Sequence, residues 1–160
     1  MKRMRFDHHS PPKRDHAVDA VWYAAGSLRG AVAETFGNHP RIIDKLAGRR
    51  LCLVELSEPM ELLSLYGNGP RLLHKALDHR ICATNRYELC QRWARAVYHG
   101  FPDLAGIRWK GRQLGTETVV LTDRADFDSL ILVDDCDISE PEVWPRIAAA
   151  ALHCKIKVIG

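Results

Sequence analysis

The feature that most constrains this chain is an irregular alternation of short strand-like and helix-like segments, each closed by glycine, proline or asparagine. Val21-Trp22-Tyr23-Ala24-Ala25 reads as a strand, because aromatic and β-branched residues fit a pleated, half-buried surface. Gly26-Ser27 ends it, and Ser27 is placed to cap a helix. In that helix Leu28, Ala31, Val32, Thr35 and Phe36 recur at amphipathic spacing, and Gly37-Asn38 closes it. A second short helix is expected over about 40–47, then a strand over 51–56 and an extended piece over 61–66 that Gly67-Asn68-Gly69-Pro70 terminates.

Further along, a short helix is expected over 71–77. Asn85-Arg86-Tyr87-Glu88 has capping-box order, and the helix it opens runs to about His99, with Leu89, Cys90, Trp93, Ala94, Ala96 and Val97 as its buried side. Strands are expected over 106–110, 118–122 and 155–159, with a weaker one near 130–133 and an alanine-rich helix over 141–152. Such a mixture predicts an α/β domain of the α+β kind, with a mixed sheet and flanking helices, since a doubly wound parallel sheet needs regular alternation. Residues 1–160 read as a single domain, of which 1–19 form a basic, loop-rich leading segment around Pro11-Pro12.

Composition narrows the class. Hydrophobic residues make up 46% and charged residues 27%, which allows a real core and argues against disorder. No apolar run reaches the roughly 18 residues that cross a bilayer, and the charged start has no apolar stretch behind it, so a cytoplasmic protein is expected. The five cysteines stand singly, with neither C-x-x-C nor zinc spacing, as reduced and buried thiols do. A net charge of +3, concentrated in the leading segment, is too small to argue for a dedicated nucleic-acid binder. No G-x-G-x-x-G, no P-loop, no G-x-S-x-G elbow and no H-E-x-x-H occurs, and His8-His9 is a poor start for a metal site. No metal is expected.

What remains is a constellation of three stretches: Arg5-Phe6-Asp7; Tyr23-Ala24-Ala25 followed by Ala31-x-Ala33-Glu34; and Gln91-x-Trp93-Ala94 running on to Gly106–Arg112 and Val119–Arg124, with Tyr23 eleven residues before Glu34. In this order they resemble the RES domain, named for an arginine, a glutamate and a serine. The resemblance implies a compact fold similar to the ADP-ribosyltransferases. It also implies a toxin of a bacterial toxin–antitoxin pair that consumes NAD, in some members by phosphorolysis of the nicotinamide–ribose bond. NAD and inorganic phosphate would then be substrates, with no prosthetic group. The implied partner is an antitoxin with a helix-turn-helix-like domain, through which alone nucleic acid is met.

Position by position, Arg5 matches the family arginine, Tyr23 the active-site tyrosine and Glu34 the glutamate. Gly111 stands where the serine is usual, and a further upstream arginine of the family has no counterpart here. The chemistry fits. A carboxylate such as Glu34 can stabilise positive charge developing on the ribose, Arg5 and Arg112 offer planar forks to phosphate groups, and Tyr23 can position a ring or a hydroxyl. Gly111 offers only its backbone N–H. By periodicity alone, Glu34 is a solvated surface residue, Arg5 one more cation in a tail, Tyr23 strand packing and Arg112 a turn charge. Two rival readings stand beside the enzyme: a weakened RES domain that mainly binds an antitoxin, and an ADP-ribosyltransferase acting on a protein.

Overall fold

The computed structural model describes residues 4–8, 20–38, 40–67, 79–82, 84 and 86–160. It divides into two units, each with its own core. The first comprises Met1–Ala24, Met60–Lys110 and Thr118–Asp126; the second comprises Ala25–Pro59, Gly111–Glu117 and Phe127–Gly160.

A four-stranded sheet, ordered β1 (Val21–Ala25), β6 (Glu117–Thr122), β5 (Gly106–Lys110), β4 (Leu62–Ser64), belongs to the first unit. Strands β4 and β5 run parallel, with Leu63 opposite Ile107. Gly106 has to be glycine, because a Cβ there would lie 2.1 Å from the Val120 carbonyl oxygen of the neighbouring strand. Helix α2 (Tyr87–Gly100) lays Cys90, Ala94, Val97 and Tyr98 into a core shared with Phe6, Ile107 and Trp109. Gln91 is also buried, while Leu89 and Ala96, both expected on the inner side, are exposed. The buried arc runs over i, i+4, i+7 and i+8 from Cys90, which turns positions 89 and 96 outward. Asn85 of the expected capping box lies outside the described residues. Arg86 occupies the cap position without a side-chain bond.

Helix α1 (Leu28–Phe36) opens the second unit's core. Ser27 caps it as expected, its Oγ accepting from the Gly30 N–H at 3.1 Å. Helix α3 (Trp144–His153) packs Ile147, Ala150 and Ala151 beside Val32 and Ala33 of α1. It starts later than the expected 141, because the preceding residues form a turn. There Glu140 accepts the Asp137 N–H, and Asp137 accepts that of Ser139.

The expected helix over 40–47 is a correction. Ile42–Asp44 is instead strand β2, paired parallel with β8 (Lys157–Ile159), and Ile43 is fully buried. Two adjacent β-branched residues favour the extended chain once a partner strand is supplied. The weak strand near 130–133 is in fact eight residues long, β7 (Leu130–Asp137), antiparallel to β3 (Arg50–Leu56). The helix expected over 71–77 lies outside the described residues.

Candidate functional site

In the first unit the Arg5-Phe6-Asp7 segment is held inside the structure. Phe6 is fully buried, with its ring 4.7 Å edge-on from Trp109 and 6.3 Å from Trp93. Arg5 is only 8% exposed. Its NH1 donates to the Ile81 carbonyl at 3.0 Å and to the Thr84 carbonyl, and the guanidinium lies 5.2 Å from the centre of the Tyr87 ring. A single charge thus ties two segments that are more than seventy residues away in sequence, where an unpaired buried cation would be prohibitively costly. The reading of Arg5 as a cation in a tail is corrected by this burial.

Tyr23 joins the same network. Its hydroxyl accepts the Phe6 N–H at 3.0 Å and donates to Asp7 Oδ1 at 2.9 Å, while Asp7 Oδ2 takes the Met4 N–H at 2.6 Å. Burial first, then the Asp7 charge and its hydrogen bond, hold the Tyr23 hydroxyl well above the ordinary tyrosine range. Tyr23 therefore stays a proton donor at neutral pH. Its ring also meets Trp109 edge-on at 6.2 Å. Two residues without an expected role complete the arrangement. Asp7 is the acceptor that fixes Tyr23, and Gln91 Nε2 donates to the Met4 carbonyl at 2.8 Å. Both stand within the quoted motifs, which was the only sequence trace of them.

The second unit holds Glu34, Gly111 and Arg112. Glu34 is half-buried on α1, and its Oε1 accepts the Gln113 N–H at 3.2 Å. Gln113 Nε2 in turn reaches the Gly37 carbonyl at 3.4 Å, so the 111–116 turn is fastened to the end of α1. Arg112 is exposed, with NH2 3.0 Å from Asn38 Oδ1. The Gly111 N–H, the one donor this residue has to offer, is committed to the Thr116 carbonyl at 2.7 Å. Gly115, in the left-handed region at φ +65°, lets the turn close onto the Gly111 carbonyl. Of the stripe expected on α1, Val32 is buried, Leu28 and Phe36 are half-buried against the same core, and all five residues line an open groove of about 390 Å³.

The structure thus joins Arg5 and Tyr23 through one hydrogen-bonded segment, and Glu34 and Arg112 through another. Among the described residues no three metal-ligating side chains gather, and no helix is long and apolar enough to cross a membrane.

The sequence matches the RES domain over residues 3–140. The chain belongs to the RES domain family. That match contains every motif residue described above and ends before α3. Among solved structures, the RES fold seen here is similar to the crystal structure of the M. tuberculosis MbcT-MbcA toxin-antitoxin complex. The similarity has a TM-score of 0.60 at 16% identity, over 91% of this chain and 76% of that one. At that identity the likeness shows the mixed α+β fold. No curated protein matches the sequence.

Proposed function

We propose that this RES domain is a cytoplasmic toxin-like enzyme that degrades NAD by phosphorolysis. The observation that carries the reading is the family match across residues 3–140; Arg5, Tyr23 and Glu34 are taken, by resemblance, as the family's arginine, active-site tyrosine and glutamate. In the reaction the bond between the nicotinamide nitrogen and ribose C1′ breaks, and its electron pair stays on nicotinamide. A phosphate oxygen forms the new bond to C1′, giving nicotinamide and ADP-ribose 1-phosphate.

Positive charge grows on the ribose as the bond lengthens. Glu34 supplies the carboxylate that stabilises it, an effect on the order of a hundredfold or more in rate for a preorganised charge. Arg112 is an exposed fork suited to an anionic oxygen, from NAD or from phosphate. Arg5 acts as a fixed positive charge, since NH1 is already anchored on two carbonyls. Tyr23, protonated and held by Asp7, positions the leading segment. The partner in this reading is a helix-turn-helix-type antitoxin. Support for a toxin–antitoxin setting comes from the fold shared with a protein crystallised in such a complex.

One residue favours a second reading. Gly111 lacks the family's hydroxyl, and its N–H is already bonded within the turn. Losing one ordinary hydrogen bond to substrate costs about 0.5–1.5 kcal/mol, which slows an enzyme without abolishing it. A RES domain that chiefly binds its antitoxin is the alternative. Incubation of the purified chain with NAD and phosphate, followed by phosphorus NMR, separates the two. A new sugar-phosphate resonance matched by free nicotinamide is expected; intact NAD with a folded protein would leave the binding reading.

A further inference from the structure

Strand β3 of the second unit is paired on one side. It runs antiparallel to β7, and among the described residues no main-chain hydrogen bond reaches its other side. The Ile138 N–H bonds to the Arg49 carbonyl and the Ser57 N–H to that of Ser129, so the odd-numbered residues turn their main-chain groups toward β7. Arg50, Cys52, Val54 and Leu56 therefore turn theirs outward. An edge of this kind is usually blunted by a bulge, a proline or charge. The β7 strand has such defences, since its register slips at Val133 and Asp134, Asp135 and Asp137 follow. The β3 strand has neither bulge nor proline, and its middle is apolar.

The same strand borders an apolar groove. Leu51 packs half-buried against the second unit's core and lines the groove with Leu28 and Phe36 of α1. Arg49 and Arg50 also line it, and no carboxylate does. By alternation, Leu53 and Glu55 lie on the same face of β3 as Leu51. Leu53 is 54% exposed and Glu55 is exposed as well, although a leucine in water gains nothing for the fold.

We propose that a second copy of this chain pairs with this edge, β3 against β3, antiparallel about a two-fold axis through Cys52. Opposed residues of a sheet share a face, so the axis has to pass through a residue and not between two. Centred on Cys52, Leu51 faces Leu53 of the partner subunit, and Arg49 faces Glu55 of the partner subunit, at both ends alike. Centred one residue later, Leu51 would meet a carboxylate instead. In the Cys52 register each Leu53 enters the other copy's groove beside Leu51, and each Glu55 brings the carboxylate that the groove lacks. The inference stands independently of NAD breakdown.

The test is the mass of the whole chain by sedimentation equilibrium at micromolar concentration, where a dimer is expected. Leu53→Asp and Glu55→Arg should each raise its dissociation constant about tenfold or more. Both residues are exposed, so the variants should keep the wild-type circular dichroism. Combining Glu55→Arg with Arg49→Glu exchanges the two charges and should restore the dimer. A short bis-maleimide should join the copies through Cys52, which is exposed, and the link should vanish in Cys52→Ser. A chain that stays monomeric, or that uses this edge for a different protein, would overturn the proposal. So would a dimer that neither single substitution weakens, or one that the reagent links through another cysteine.

Discussion

The two units use the same family's motif residues in opposite ways. In the first, Arg5, Phe6, Asp7 and Gln91 are buried and bonded into one core around Tyr23 and Trp109. In the second, Glu34 is half-buried and accepts the Gln113 N–H, and Arg112 is exposed and bonded to Asn38. The difference teaches that a motif read from sequence mixes two kinds of residue. Some specify the fold, and their loss lowers stability. Others, in the function proposed above, serve the chemistry, and their loss should leave stability nearly untouched.

That contrast can be broken most easily at Phe6. Phe6→Ala removes a fully buried ring between Trp109 and Trp93, and a loss of about 3–5 kcal/mol in urea unfolding is expected. A change below about 1 kcal/mol would mean that the leading segment does not belong to the core.

Tyr23→Phe is next. The ring stays, but Asp7 loses its donor and the Phe6 N–H its acceptor, at a cost of about 1–3 kcal/mol. The pH dependence sharpens the point. Tyr23 has a raised value in the fold, so its contribution is whole below the unfolded tyrosine value of about 10 and is lost as pH climbs past it. Chemical unfolding between neutral and strongly alkaline pH should show a steeper decline for the wild type than for Tyr23→Phe. Burial also raises Tyr98, so some decline persists in the variant.

In the second unit the effects shrink. Ser27→Ala removes the bond that caps α1 and should cost about 1 kcal/mol by thermal melting. Arg112→Gln should fall within about 0.5 kcal/mol of wild type, because an exposed side chain bonded to Asn38 contributes little. A loss at Arg112 as large as that at Tyr23 would erase the distinction between the units.

Much of the fold was legible where local chemistry is decisive. Strand β1, the Ser27 cap and helix α1 follow from neighbouring residues alone, and α2 from its periodicity. The misread strands depend on distant partners. Ile42–Asp44 becomes a strand only because Lys157–Ile159 lies alongside it. The second half of β7 is hidden by Asp134, Asp135 and Asp137, residue types that strands disfavour. There, cross-strand pairing with β3 prevails, including the Arg50–Asp135 ion pair at 2.8 Å.

The candidate site rests on a family pattern and not on local chemistry. Nothing around Arg5 shows that its charge is buried, since Ile81 and Thr84 accept it through backbone carbonyls that any residue would supply. Glu34 reads as a surface residue by periodicity, and its half-burial comes from the 111–116 turn, remote in sequence.

In the function proposed above, the Glu34 carboxylate drives NAD breakdown without contributing appreciably to the fold. The most direct measurement is the rate of nicotinamide release from NAD in phosphate, for the wild type beside Glu34→Gln. The expected result is a fall of about a hundredfold or more with an unchanged melting temperature. Equal rates for the two proteins would contradict it.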